Sequence, residues 1–250
     1  MSVAERPPEW YRDWFGEEYL ALYPHRDEEE ARAAVDLVCR GCAPPAGLIL
    51  DLACGAGRHM VEFELRGLKA IGLDLSAPLL EQAHERRHDL RLVRGDMRHL
   101  PFADRSFQFV ANFFTSFGYF ADPEEDARVL AEIRRVLEPG GCFALDFLNA
   151  DRVRARLVDD DERLHDGRRV VQGRRLEEGG TVVVKEIRIF EASDQRPLAT
   201  FYERVRLYSP AELADMLRAA RLEPERSYGD YTGSPPGPEA PRFILFGHAV

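Results

Sequence analysis

The sequence predicts an α/β fold in which a mostly parallel sheet carries helices on both faces and a small antiparallel β insertion follows the fifth strand. Three observations lead there. Between residues 48 and 149, short apolar runs alternate with amphipathic stretches, the rhythm of βαβ units. The first run, "LILDLA" at 48–53, is almost continuously apolar, as a strand covered on both faces must be. After residue 150 the helical period gives way to alternation, as in Val182, Val184, Glu186 and Arg188, and "EEGG" at 177–180 marks a hairpin.

In chain order, residues 7–24 place Trp10, Tyr11, Trp14, Phe15, Tyr19, Leu20 and Tyr23 at three- and four-residue spacing, which predicts one helix with an aromatic face. A second helix spans 27–40, with acidic residues in its first turn where they suit the helix dipole. "GCAPPAG" then breaks the pattern. Strands are expected at 48–53, 70–76, 90–96, 106–114 and 142–149, and helices over 58–66, 78–87 and 123–137. The charged stretch 151–167 reads as a helix and a loop, and β runs follow at 168–176, 181–192 and 198–208. "SPAE" at 209–212 is a capping box with proline at the first helical position, so a helix opens over 210–220. A Pro/Gly-rich loop at 233–241 leads to a final strand, 242–249. One domain over 1–250 results, with an N-terminal helical segment at 1–40 and the insertion at 151–208 inside it.

The chain has 250 residues, a net charge of −10 and a pI near 5.3. An acidic surface repels phosphate backbones and disfavours nucleic-acid partners. No apolar run approaches the ~18–20 residues that span a bilayer, and the charged, proline-broken N-terminus is unlike a signal peptide. A cytoplasmic protein is expected. Cys39 and Cys42 form a lone C-x-x-C without two further ligands, so no metal is expected.

The informative segment is "ILDLACGAGRH" at 49–59. A strand ends at Ala53, Gly55 and Gly57 let the backbone turn under a ligand, and the next helix points its N-terminus there. Two features oppose a dinucleotide and hence a nicotinamide oxidoreductase. The third glycine of G-x-G-x-x-G falls on Met60, and Asp51 precedes the glycines, where a carboxylate suits an ammonium better than a pyrophosphate. Asp74 ends the next strand, placed to accept ribose hydroxyls. Asp96 ends the third, placed to accept from an exocyclic adenine amine, with Met97 against the ring. Three acids at successive strand ends match one extended ligand without phosphate: amino acid, ribose, adenine.

The segment resembles motif I of class I S-adenosylmethionine (SAM)-dependent methyltransferases, and "GLDLS", "GDMRHLPFADRSFQFV" and "LEPGG" resemble that family's later motifs in order and spacing. The resemblance covers roughly 45–150. It implies a Rossmann-like seven-stranded sheet with its last strand antiparallel, SAM as cofactor and S-adenosylhomocysteine as product. It also implies that Gly55 and Gly57 approach the methionine part, Asp74 the ribose, and Asp96 and Met97 the adenine. With them Asp51, Ala53, Cys54, Arg58 and Leu75 are assigned to the cofactor, as are Asn112 and Phe113 at the fourth strand's exit. In such enzymes an N-terminal helix often folds over SAM as a lid, which makes Tyr11 and Tyr19 candidate contacts and Arg26 a candidate carboxylate partner.

Methyl transfer needs alignment and exclusion of water more than covalent help, so no catalytic residue is assigned. The fourth-strand region reads "ANFFTSFGYF", without the (Asp/Asn)-Pro-Pro-aromatic motif of base amino-methyltransferases or the Pro-Cys of cytosine-C5 enzymes. A small-molecule O or N acceptor is the reading adopted. A regulatory or scaffolding SAM-binding relative, or a protein or RNA methyltransferase, is the alternative. Candidate acceptor contacts are Ser116, Tyr119, Tyr202, Arg204, Asp230, Tyr231 and Arg242. The insertion offers a lid or a homodimer contact.

Overall fold

The computed structural model describes residues 9–23, 28–42, 47–191 and 194–250. Its centre is a seven-stranded sheet: β1 (Ile49–Leu52), β2 (Ala70–Asp74), β3 (Leu92–Arg94), β4 (Phe107–Asn112), β5 (Leu137–Leu148), β10 (Leu222–Tyr228) and β11 (Arg242–Ala249), in the order β10-β11-β5-β4-β1-β2-β3. β1 pairs parallel with both β2 and β4, Leu50 facing Ile71 on one side and Val110 on the other. Only β11 runs antiparallel, against β5 and β10. This is the Rossmann-like sheet expected. All four residues of β1 are buried, which accounts for its unbroken apolar character.

The helices α4 (Arg58–Leu65), α5 (Ala77–Arg86) and α6 (Pro123–Val136) connect the parallel strands, and α3 (Glu28–Gly41) packs against α4. Chain order reverses between β1 and β4, so the loops leaving these neighbours diverge and open a crevice at the strands' C-terminal ends. α8 (Pro210–Ala219) carries the expected capping box, Ser209 accepting from the Glu212 amide while Glu212 accepts from the Ser209 amide.

Three expectations need correction. The N-terminal aromatic segment is two short helices, α1 (Trp10–Trp14) and α2 (Glu17–Leu22), because Gly16 adopts an extended conformation between them. The insertion is a four-stranded antiparallel sheet rather than three, β6 (Asp160–His165), β7 (Arg168–Glu177), β8 (Val182–Glu191) and β9 (Ala199–Arg206), preceded by α7 (Ala150–Ala155). β6 reads "DDERLH", an edge strand whose charge hides its pairing. Likewise β10, "LEPERSY", falls in a stretch whose sequence shows no strand pattern. It is the other edge, and its Pro224 sits at a register shift where no ladder donor is required.

α1 lies between the two sheets. Trp14 is almost wholly buried, its indole N–H donates to Glu203 of β9 at 2.8 Å, and its ring packs 5.0 Å from Phe201. On the other side the Ser76 hydroxyl donates to the Phe15 carbonyl at 2.5 Å. Among the described residues, no helix is long and apolar enough to cross a membrane.

Candidate active site

A cavity of about 290 Å³ occupies the crevice at the C-terminal ends of β1 to β4, beneath α1 and α2. Its floor is the turn after β1. Ala53, Gly55 and Gly57 all take positive φ (60°, 53° and 74°), which folds the turn tightly enough for the Cys54 amide to reach the Leu73 carbonyl at 3.0 Å. Gly57 is the N-cap of α4, and a Cβ there would lie 2.9 Å from that of Ala83. Met60, where a dinucleotide site has its third glycine, is fully buried in the core.

Asp74 organises this turn. One carboxylate oxygen accepts from the Gly55 amide and the other from the Ser76 amide, each at 2.8 Å. Each oxygen keeps acceptor capacity for a further donor. Burial pushes the Asp74 pKa up, against the pull of those amides. Asp51 stands behind the turn, 1% exposed, and neither of its oxygens meets a donor among the described residues. Burial raises its pKa to about 8, with Arg58 opposing and Asp74 reinforcing. A buried carboxylate without a donor is costly, so this is a position that a cationic group would relieve.

Asp96 lines the cavity but is largely engaged. Arg98 holds it through its amide (2.9 Å), Nε (3.0 Å) and Nη2 (2.6 Å). Burial alone would raise the Asp96 pKa, yet these bonds outweigh it and the carboxyl lies below its ordinary value. Arg98 also reaches Glu9 at 3.3 Å and pairs with Glu125, tying α1's start to the third strand's exit.

The opposite wall leaves β4 as Phe113, Phe114, Ser116, Tyr119 and Phe120. Phe114 and Thr115 are consecutive left-handed residues (φ 58° and 57°), a conformation that side chains disfavour. The Phe114 ring lies between guanidiniums, 4.7 Å from Arg58 and 5.1 Å from Arg242. His59, 4% exposed, packs 4.5 Å from Phe113, and burial holds its pKa well below the ordinary value.

Of the residues singled out in the sequence, Ala53, Cys54, Gly55, Arg58, Asp74 and Leu75 line the cavity. So do Asp96, Met97, Phe113, Tyr11, Tyr19, Ser116 and Tyr119. The others do not. Asp51 lies below the turn, Gly57 ends it as the N-cap of α4, and Asn112 is buried with its amide donating to the Leu52 carbonyl at 2.9 Å. Tyr202 and Arg204 are off the cavity because β9 turns its other face, Phe201 and Glu203, toward α1. Arg204 pairs with Glu178 at 2.5 Å instead. Asp230 is a turn former that accepts from the amides of Thr232 and Ser234, and Tyr231 and Arg242 bond Asp146 rather than facing the cavity. Arg26 lies outside the described residues.

Sequence reasoning assigned no role at the cavity to Phe15, Tyr23, Leu79 or Phe114, all of which line it. Phe15 and Tyr23 belong to the aromatic spacing already visible in the sequence, but spacing cannot tell a core face from a cavity wall.

Comparison with known proteins agrees with this geometry. A family model described as a methyltransferase domain matches residues 49–141. Over 230 residues, 86% of this chain and 92% of the relative, the sequence is 30% identical to the dTDP-3-amino-3,4,6-trideoxy-alpha-D-glucopyranose N,N-dimethyltransferase of Streptomyces venezuelae. The chain belongs to the SAM-dependent methyltransferases. This methyltransferase is also 29% identical over 229 residues, 83% of itself and 91% of the relative, to a cypemycin N-terminal methyltransferase from a Streptomyces species. The solved sugar N-methyltransferase KedS8 from a Streptoalloteichus species superposes with a TM-score of 0.72 at 26% identity, covering 100% of this chain and 98% of that one. The protein is an enzyme, and SAM is its cofactor. The lining suits that ligand: Asp74 keeps acceptor capacity toward hydroxyl donors, and Met97, Leu75 and Leu79 offer apolar surface to a ring, while behind the turn the unpaired Asp51 carboxylate favours a nearby cation.

Proposed function

We propose that this methyltransferase acts on a small molecule and that the atom it methylates is an amine nitrogen, an amino sugar carried on a nucleotide being the first substrate to test. The observation that carries the reading is the aromatic enclosure of the cavity. Tyr11, Phe15, Tyr19, Phe113, Phe114, Tyr119 and Phe120 surround the space beside the glycine turn. An amine that arrives neutral offers its nitrogen lone pair directly, so no strong base is needed. Ring faces then favour the cationic ammonium that methylation creates. The relatives support the same choice, since the three compared above are all described as transferring methyl groups to nitrogen or to a peptide N-terminus.

SAM supplies an activated methyl group, so the chain's residues contribute position and dryness. Asp74 would accept the ribose hydroxyls, Asp51 would answer the ammonium through the turn, and Asp96 and Met97 would frame the adenine. Tyr11 donates its hydroxyl to Glu9 at 3.1 Å, and burial keeps its pKa far above neutrality. It therefore stays protonated and serves to shape the wall. α1 and α2 close the cavity from above as a lid.

The test is incubation with SAM and three acceptor classes: nucleotide-linked amino sugars, short peptides with free N-termini, and the matching hydroxy sugars. Methyl mass added to the amino sugars alone would bear the reading out. Transfer to hydroxy sugars and not to amino sugars would overturn it, and transfer to peptides alone would move the acceptor class.

A further inference from the structure

We propose that Asp146, Tyr231 and Arg242 form a buried clamp that sets the conformation of the acceptor wall. Through it the C-terminal loop positions the acceptor without touching it. Asp146 lies on β5 with no exposed surface and does not reach the cavity. One of its oxygens accepts from the Phe114 amide at 2.7 Å and from the Tyr231 hydroxyl, and the other accepts from Arg242 Nε. Arg242 continues to the Thr115 hydroxyl with Nη2 at 2.8 Å, and its guanidinium covers the Phe114 ring at 5.1 Å. The Thr115 amide reaches the Asp146 carbonyl at 3.2 Å. Directly or through Asp146, these contacts converge on the two residues held in the left-handed region.

Two consecutive side-chain-bearing residues at positive φ persist only where their surroundings over-determine them. Here the surroundings come from far away in sequence: Asp146 from the fifth strand, and Tyr231 and Arg242 from either end of the 229–242 loop. That loop is fastened a second time just past the end of β5, where the amide of Asn149, the N-cap of α7, donates to the carbonyls of Gly237 (2.7 Å) and Ala240 (2.8 Å). Released, Phe114 and Thr115 would relax toward ordinary backbone geometry. Phe113, Phe114 and Ser116, which line the cavity on either side of Thr115, would shift with them. The floor that meets the cofactor is built separately, by Asp74 and the glycine turn, so the clamp acts on one half of the cavity. The clamp residues are positioning residues, and the reading rests on the amine-acceptor proposal only in naming which half they serve.

Tyr231→Phe removes one hydroxyl from the clamp and leaves its packing. Asp146→Asn and Arg242→Lys weaken its other arms. Each variant is measured four ways: melting temperature, S-adenosylhomocysteine affinity by calorimetry, kcat and KM for the methylated amine, and hydrogen exchange of the segment containing the Phe114 amide. For Tyr231→Phe, exchange at 113–119 should rise while exchange in β1 and β2 stays unchanged. S-adenosylhomocysteine affinity should stay within about twofold, and kcat/KM for the acceptor should fall about tenfold or more, the scale expected when reacting groups lose alignment. Arg242→Lys keeps the charge but loses the fork that joins Asp146 to Thr115, so it should fall at least as far as Tyr231→Phe. Unaltered exchange at Phe114, or acceptor kinetics that decline only in step with the folded fraction, would overturn the clamp. Should Asp146→Asn fail to fold, Tyr231→Phe alone decides. If exchange rises as expected but no amine is methylated by the wild type, the amine reading fails and the clamp stands on its exchange signature.

Discussion

The cavity has two halves made by different means. The cofactor half is made of strand ends and backbone: a turn with three positive φ angles, Asp74 gripping two of its neighbours' amides, and Asp51 beneath. The turn, Asp51, Asp74 and Ser76 lie within 25 residues of one another, and Asp96 and Met97 follow at the next strand end. The acceptor half is made of side chains gathered from the N-terminal helices, the β4 exit, β5 and the C-terminal loop. A ligand common to many enzymes can be met by local, backbone-centred geometry. One that differs between enzymes is met by side chains that vary independently.

The largest effect should come from attacking the cofactor half at Asp74. Asp74→Ala leaves the Gly55 and Ser76 amides without their partner and removes the acceptor facing the ligand. S-adenosylhomocysteine binding should weaken by about 2–3 kcal/mol, roughly 30- to 150-fold. An unchanged dissociation constant by calorimetry would remove Asp74 from the site and collapse the distinction between the halves.

The asymmetry also explains what could be read from the sequence. The glycine turn and its acids stand in order along the chain, and the sheet that carries them shows as apolar runs, so the parallel fold and most of the floor were legible. Asp146 was not, because "LDF" on a strand gives no sign that a buried carboxylate will hold a loop some thirty residues away. Tyr231 and Arg242 stand out in the sequence as candidate acceptor contacts, yet their partner decides their role, and pairing across 85 and 96 residues leaves no local pattern. β6 and β10 were missed for a related reason: as edge strands they need one apolar face at most, and their charges and proline conceal it. The break at Gly16 was concealed because the aromatic spacing continues across it.

A second, smaller effect tests whether Asp51 belongs with the cofactor. Its pKa of about 8 in the free protein lies above that of an unfolded aspartate. A carboxyl raised in this way favours the folded state below the unfolded pKa, and that contribution is lost as pH rises toward 8. A cationic ammonium nearby would pull the pKa back down, so binding at pH 7 should release up to one proton. S-adenosylhomocysteine should then raise the melting temperature more at pH 8 than at pH 6. Calorimetry in two buffers of different ionisation enthalpy reads the proton directly. Asp51→Asn should abolish the release, and an equal release from this variant would assign the proton elsewhere.

The smallest effect separates the lid from the floor. Trp14 joins α1 to the inserted sheet by one hydrogen bond and one ring contact, while its neighbours Tyr11 and Phe15 face the cavity. Trp14→Phe keeps an aromatic ring against Phe201, deletes the bond to Glu203, which keeps Lys185 as a partner at 3.4 Å, and trims part of a side chain that is 1% exposed. The lost bond and the lost ring volume together should cost about 1–3 kcal/mol, or several °C in melting temperature for a chain of this size. Because α1 covers the cavity without building the glycine turn, loosening it should raise the acceptor KM more than it weakens S-adenosylhomocysteine binding. If both change by the same factor, the lid serves the cofactor as much as the acceptor, and the division between the halves runs through the floor alone.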